Sequence, residues 1–95
     1  TSYVVLETAA ILQRRIGMDA VRAFTESLLP VVEVAYVYSE LHGAALSNLL
    51  VANRRELSLV DCCSFETMRR RGMRTAFAFD EHFAEQGFEL CVEML

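Results

Sequence analysis

Glycine and proline are scarce in this sequence, with four and one among 95 residues, and there is no low-complexity tract or internal repeat. These absences exclude a repeat protein and a chain made mainly of flexible linkers. No apolar run reaches membrane-spanning length, because charged or polar residues interrupt every stretch. The opening residues, TSY, show no signal peptide and no initiator methionine, so we expect the native start to lie upstream.

Cysteine is also too sparse to build a scaffold. Cys62, Cys63 and Cys91 are odd in number, and two of them are adjacent, which is a poor disulfide framework. No C-x-x-C pair or histidine cluster suggests zinc. We therefore predict reduced cysteines that act as small buried hydrophobic residues in a cytoplasmic protein.

The charge balance limits the ways in which this chain could meet nucleic acid. A net charge of −4 argues against binding through a broad basic face. It leaves room for a metal-dependent nuclease, whose acidic cluster is neutralised by bound cations. The hydrophobic fraction of 54% is high for a chain this short, and it predicts a well-filled core or apolar surface for a partner.

Hydrophobic spacing predicts the order of the elements. Apolar residues at helical spacing predict helices over residues 3–16, 19–29, 39–53 and 58–71. Runs of β-branched and aromatic residues predict strands at 31–37, 75–79 and 88–92, with a short helix at 81–86. Because helices separate the strands, we expect a single α/β domain with a parallel sheet over residues 1–95.

The predicted helix ends have recognisable signals. Ser39 and Ser58 are the expected N-caps of the third and fourth helices, and Asp61 follows Ser58 by three residues, as in a capping box. Gly17 and Gly72 are the expected ends of the first and fourth helices. Pro30 ends the second helix, because proline has no backbone N–H to donate.

Three carboxylates stand among apolar neighbours, where an ordinary solvated charge is unusual. Glu7 is the only charged residue in the first twelve, and its neighbours at helical spacing are apolar or aromatic. Asp61 lies in LVDCC, and Asp80 directly follows the apolar run AFAF. Each has an ordinary alternative role: Glu7 in a helix-dipole or capping role or at an exposed edge, and Asp61 and Asp80 in helix caps.

Together, these carboxylates suggest a metal site. The carboxyl ends of parallel strands are where such sheets bind ligands, which suits Asp80. Hard oxygen ligands select Mg²⁺ or Mn²⁺ over zinc, and such ions can promote hydrolysis of a phosphodiester. Topology alone does not place Asp61 at that edge, because a helix and not a strand precedes its own helix.

Three segments resemble the acidic motifs of PIN-domain ribonucleases, the nuclease family of VapC-type toxins. They are residues 1–8 (TSYVVLET), 57–65 (LSLVDCCSF) and 76–83 (AFAFDEHF), the last followed by Gly87 and Phe88. Their order and spacing match the family along essentially the whole chain. The resemblance implies a three-layer α/β/α domain with a parallel sheet, whose first strand is missing from this chain.

The same resemblance implies the function. It implies a Mg²⁺- or Mn²⁺-dependent endoribonuclease, in many members the toxin of a toxin–antitoxin pair, dimeric and silenced by a small antitoxin. Glu7, Asp61 and Asp80 correspond to three of the family's four acidic metal-site positions. The fourth, an aspartate on the first strand, has no counterpart here.

Two other functions remain open from the sequence. One is a non-catalytic PIN-like module that dimerises or binds a partner without a complete acidic site. The other, a nucleotide-binding α/β domain, has little support, because no G-x-G-x-x-G or P-loop motif is present. We expect His82 to be structural, and Arg69, Arg70, Arg71 and Arg74 to form either a solvated helix end or a phosphate-contacting patch.

Overall fold

The computed structural model describes residues 1–76 and 85–90, which belong to two compact units, Thr1–Val37 and Tyr38–Leu95. Its regular elements are α1 (Ser2–Arg15), α2 (Met18–Ala23), α3 (Ser39–Ala52), α4 (Leu59–Arg70), β1 (Thr75–Ala76) and β2 (Glu89–Leu90). The second half of the strand predicted at 75–79 and most of the helix predicted at 81–86 lie outside the described residues. Each of the four long predicted helices corresponds to an observed helix, but α2 is shorter than predicted.

Helix α1 begins and ends where its sequence predicts. The Thr1 hydroxyl accepts a hydrogen bond from the Val4 backbone N–H at 3.3 Å, which caps the N-terminus. At the other end, the N–H groups of Ile16 and Gly17 both donate to the Leu12 carbonyl at 2.9 Å. Gly17 has a φ of 128°, a conformation that glycine adopts without the strain of a side chain.

The second predicted helix is regular only in its first half. Helix α2 gives way to a π-helical turn, Phe24–Leu28, in which the Leu29 N–H donates to the Phe24 carbonyl. A 3₁₀ turn, Leu29–Val31, then contains Pro30. The proline ring obstructs the carbonyl four residues earlier in an α-helix, and this accounts for the change of hydrogen-bonding pattern around it.

The strand predicted at 31–37 is wrong in the described structure. Val31 ends the 3₁₀ turn, Val32 is extended, and residues 33–38 form neither a helix nor a strand. The backbone of this segment is bound to the start of α1: the Ser2 N–H donates to the Ala35 carbonyl, and the Ser2 hydroxyl accepts from the Val37 N–H, both at 2.9 Å. β-Branched composition favours an extended backbone, but it does not supply the partner strand that a sheet requires.

The second unit is built around two packed helices, α3 and α4. Tyr38, in an extended conformation, is the N-cap residue of α3, and no side chain caps this helix, so the cap predicted at Ser39 is wrong. Asn53, at a φ of 50°, ends α3 in the left-handed conformation that asparagine tolerates. Helix α4 begins at Ser58 as predicted and ends before Gly72, which has a φ of 68°.

The buried residues of the second unit come from both helices and from the segments beside them. They are Leu41, Ala45, Leu57, Cys62, Cys63, Phe65, Met68 and Phe88. The rings of Phe65 and Phe88 stack with centroids 6.1 Å apart, which fastens the segment before β2 onto α4. Among the residues whose burial is described, Thr67 is polar and buried, and its hydroxyl donates to the Cys63 carbonyl at 2.7 Å.

The two short strands pair in parallel, with Thr75 opposite Glu89 and Ala76 opposite Leu90. A larger parallel sheet and the three-layer arrangement stay predictions.

Candidate functional site

Glu7 lies in the middle of α1, with an exposed side chain. The apolar neighbours predicted for Glu7 are present at the helix surface: Leu6 is 70% exposed, and Val4 and Ile11 are also exposed. The capping alternative for Glu7 is wrong, because Thr1 caps this helix and its first turn contains no acidic residue. Glu7 is therefore a carboxylate on an apolar helix surface.

Asp61 lies in the first turn of α4, partly exposed. Its backbone N–H donates to the Ser58 hydroxyl at 3.0 Å, so the predicted cap is confirmed and Ser58 provides it. A carboxylate there is favoured by the helix dipole, which concentrates partial positive charge at the N-terminus. The capping bond is made by the Asp61 backbone, so it does not occupy the carboxylate.

Asp80 and His82, by contrast, lie outside the described residues. Glu7 belongs to the unit Thr1–Val37 and Asp61 to the unit Tyr38–Leu95. Within residues 1–76 and 85–90, no three potential ligands from His, Cys, Asp or Glu gather around a common point. The convergence of the three predicted carboxylates thus stays a prediction.

Most of the other described glutamates are neutralised by arginine. Arg22 pairs with Glu26, Arg54 with Glu56 and Glu85, and Arg70 with Glu40 and Glu66, at N–O distances of 2.7 to 3.6 Å. No ion pair among the described residues involves Glu7 or Asp61. Carboxylates without an arginine are of the right kind to bind a divalent cation.

Arg70 connects the start of α3 to the end of α4. Its Nη1 donates to the Tyr38 hydroxyl at 2.9 Å, and its Nε donates to Glu66 at 3.0 Å. The guanidinium also lies 6.0 Å from the centre of the Tyr38 ring. These contacts, the one with Glu66 first, raise the pKa of Arg70 above its usual value. The solvated helix end that the sequence suggested as one interpretation therefore does not describe Arg70, which bonds other side chains.

The predicted state of the cysteines is confirmed for the two that are described. Cys62 and Cys63 are free thiols on α4, and both are buried in the core of the second unit. Burial raises the pKa of both thiols, and the negative charge of Asp61 raises that of Cys62 further. These thiols are therefore protonated and unreactive at neutral pH.

A cleft of about 250 Å³ lies beside α4, and it was not predicted from the sequence. Its lining residues come from α3, α4 and the segments that follow each helix: Asn48, Val51, Ala52, Leu57, Cys62, Phe65, Arg69 and Gln86. They are distant in sequence, so neither helical spacing nor a motif could have grouped them. We refer to it below as the α4 cleft.

Comparison with known proteins decides the family. Over 89 residues, 93% of this chain, the sequence is 39% identical to the 23S rRNA-specific endonuclease VapC20 of Mycobacterium tuberculosis, in strains CDC 1551 and H37Rv. The match covers 68% of that relative's length. The chain belongs to the VapC family of PIN-domain ribonuclease toxins. No family model matches this VapC chain.

A solved VapC structure agrees with this membership. The crystal structure of Mycobacterium tuberculosis VapC20, a sarcin-ricin loop cleaving toxin, superposes on this chain with a TM-score of 0.77 at 40% identity. The superposition covers 86% of this chain and 64% of the VapC20 chain, so the present chain spans slightly less than two thirds of that protein. The resemblance to PIN domains is thereby confirmed.

Within the described residues, no helix is long and apolar enough to cross a membrane.

Proposed function

We infer that this VapC protein is an endoribonuclease, the toxin of a toxin–antitoxin pair, which hydrolyses phosphodiester bonds in RNA. The observation that carries this inference is the 39% identity to a 23S rRNA-specific endonuclease over 93% of the chain. A solved relative named as a sarcin-ricin loop cleaving toxin supports a structured ribosomal RNA loop as the substrate class. For such a substrate we expect the activity to be in the cytoplasm.

The proposed metal ligands are Glu7, Asp61 and Asp80, holding Mg²⁺ or Mn²⁺. Support comes from the kind of donor: Glu7 and Asp61 are carboxylates with no arginine partner among the described residues. When bound, such an ion lowers the pKa of water and stabilises negative charge on a phosphodiester. The contribution of the chain is to hold these oxygens, and the capped first turn of α4 fixes the backbone of Asp61.

The remaining parts of the proposal follow the family. We expect a three-layer α/β/α arrangement in the intact protein, a homodimer, and inhibition by a small antitoxin. Apolar side chains exposed on the helices are available for such contacts; in the second unit they include Leu46 and Leu50.

The test is cleavage of a sarcin-ricin stem-loop RNA by the full-length protein with Mg²⁺ or Mn²⁺. We expect Glu7→Gln, Asp61→Asn and Asp80→Asn each to lower kcat/KM by about 100-fold or more, the scale of losing one group that stabilises a transition state. Asp19→Asn is the matched control, because Asp19 is an exposed acid in the first turn of α2. Thermal melting shows whether each variant is folded.

Two results would contradict the proposal. Cleavage that all three substitutions leave intact would mean that these carboxylates are not the metal ligands. Failure of the parent protein to cut any RNA, with and without added metal, would support the non-catalytic interaction module instead.

A further inference from the structure

The α4 cleft combines an apolar floor with a polar rim. Leu57, Cys62 and Phe65 are buried and form the floor. Asn48, Arg69 and Gln86 lie at the rim with partly or fully exposed side chains. At about 250 Å³ the cleft is smaller than the roughly 300–1,000 Å³ pockets of drug-sized ligands, which suits a single small group.

Arg69 gives the rim a positive charge, and within residues 1–76 and 85–90 it forms no ion pair with a carboxylate. The Arg69 side chain donates to the Gln86 side-chain oxygen and lies 5.7 Å from the centre of the Phe88 ring. Both contacts are with uncharged groups, and no ion pair among the described residues includes Arg69. Its neighbour Arg70, by contrast, contacts two glutamates. An anionic ligand at this rim would therefore gain a guanidinium contact.

The position of the cleft relates it to the proposed catalytic carboxylate on the same helix. Cys62 directly follows Asp61, while Phe65 and Arg69 lie about one and two turns further along α4. At about 1.5 Å per residue, Arg69 is about 12 Å from Asp61 along the helix axis. A single RNA strand covers that length in a few nucleotides.

We propose that the α4 cleft receives one unpaired base of the RNA substrate, close to the cleaved bond, with Arg69 contacting the phosphate of that nucleotide. Sequence-specific recognition of RNA mainly uses such splayed bases in loops and bulges, which stack on planar side chains and are read at their edges by hydrogen bonds. The amides of Asn48 and Gln86 are the groups that can read that edge: Asn48 now donates to Glu66 and Gln86 accepts from Arg69, and each amide has further donor or acceptor capacity. This assignment rests on the proposed function, and it names the residues that select the substrate.

A side chain of a protein partner is the competing occupant. An apolar side chain would fill the floor but leave the Arg69 charge without an anion, so the composition of the rim favours a nucleotide. An acidic peptide would satisfy Arg69 but would leave the apolar floor uncovered.

The first experiment needs no RNA cleavage. Full-length protein labelled with ¹⁵N is titrated separately with the four nucleoside 5′-monophosphates and with inorganic phosphate, and the side-chain amides of Asn48 and Gln86 are followed by NMR. We expect saturable shifts with at least one mononucleotide and none of comparable size with phosphate. Shifts equalled by phosphate alone would mean an adventitious anion only, and no shift with any mononucleotide would overturn the proposal.

Variants then locate the binding. Arg69→Ala is expected to weaken mononucleotide binding by about tenfold or more, the scale of a hydrogen bond to a charged group. Val51→Phe is expected to block the cleft; Val51 is 86% exposed, so the larger ring can be accommodated without disturbing the core. Arg15→Ala is the matched control, since Arg15 is an exposed arginine at the end of α1. Equal binding by all three variants would overturn the proposal.

The second experiment links the cleft to cleavage. Stem-loop RNAs with an abasic nucleotide at each position near the cut are compared with the intact RNA. For the parent protein, we expect the abasic substitution at one position to lower kcat/KM relative to the intact RNA. For Val51→Phe, we expect the RNA with that abasic substitution and the intact RNA to be cut with the same kcat/KM. Discrimination retained in Val51→Phe would count against the cleft. If the parent cuts no RNA, the proposed function fails, while the mononucleotide titration still decides the occupant of the cleft.

Discussion

Two serines near the starts of α3 and α4 have different roles. Ser58 accepts a hydrogen bond from the Asp61 N–H at 3.0 Å. Ser39 is the first residue of α3, and the N-cap position before it is occupied by Tyr38 without a side-chain bond. The hydroxyl of Ser58 therefore satisfies a backbone group that would otherwise lack an intrahelical partner.

We expect Ser58→Ala to lower the free energy of unfolding by about 1 kcal/mol, the usual cost of losing an N-cap. Ser39→Ala should change it much less, because no capping bond is lost. Urea unfolding of both variants measures the difference, and Ser58→Asp should retain most of the parent stability. Equal losses for the two alanine variants would contradict the assigned cap.

The two buried thiols predict a dependence of stability on pH. Burial raises the pKa of Cys62 and Cys63, so the folded state disfavours their thiolates. Below the ordinary thiol pKa of about 8.5, both states are protonated and this contribution to stability is fully present. As pH rises through that value toward the raised folded pKa, the unfolded chain releases the protons first and the free energy of unfolding falls.

Urea unfolding between pH 7 and 9.5 measures this fall. Replacing both cysteines by alanine should flatten the profile in that range, although it lowers stability at every pH by leaving space in the core. The thiols would be ruled out as the cause if the free energy of unfolding of the parent did not change over this pH range. They would also be ruled out if the double variant showed the same slope as the parent.

Among the elements, α3 contains a glycine that the helix does not need. A side chain at Gly43 would meet no atom within 4 Å, and its φ lies outside the left-handed region. Gly43→Ala should raise the free energy of unfolding by about 1 kcal/mol, the difference in helix propensity. Gly72→Ala is the opposite control, because Gly72 has a φ of 68° and alanine there is strained. Thermal melting compares them, and stabilisation by both substitutions would be inconsistent with these backbone angles.

The helices could be predicted from sequence because their signals are local. Spacing, the Ser58 cap, Gly17 and Gly72 all act within a few residues, and the structure confirms them. The segment 31–37 could not be predicted in the same way, because a strand requires a partner elsewhere in the chain. Here Ser2 supplies the hydrogen bonds. The π-helical turn before Pro30 was missed as well, since apolar spacing does not distinguish one helical pattern from another.

At the scale of the whole molecule, the sequence indicated the family and a set of candidate metal ligands, and the role and arrangement of those ligands stay predictions. Glu7 and Asp61 were recognisable by their apolar neighbours and by their motifs, and the family is confirmed by the comparison with VapC20. The α4 cleft could not be predicted, because its lining residues meet only after α3 and α4 have packed. Convergence of Glu7, Asp61 and Asp80 stays a prediction for the same reason.

Metal binding should be visible as a gain in stability of the full-length protein. A ligand that binds only the folded state at 100 times its Kd adds about 2.7 kcal/mol. We expect Mn²⁺ to raise the Tm of the parent and of Asp19→Asn, and to have little effect on Asp61→Asn. Calorimetry gives the Kd directly. A Tm that is identical in Mn²⁺ and in a chelator would refute the proposed metal site.

The contacts of Arg70 have a consequence for local opening. Because its guanidinium joins Tyr38 and Glu40 at the start of α3 to Glu66 within α4, neither helix can detach without breaking charge-assisted hydrogen bonds. In native-state hydrogen exchange, the amides of α3 and α4 should therefore open as one cooperative unit. In Arg70→Met we expect this cooperativity to be lost, so that the amides in the first turn of α3 exchange earlier than those of α4.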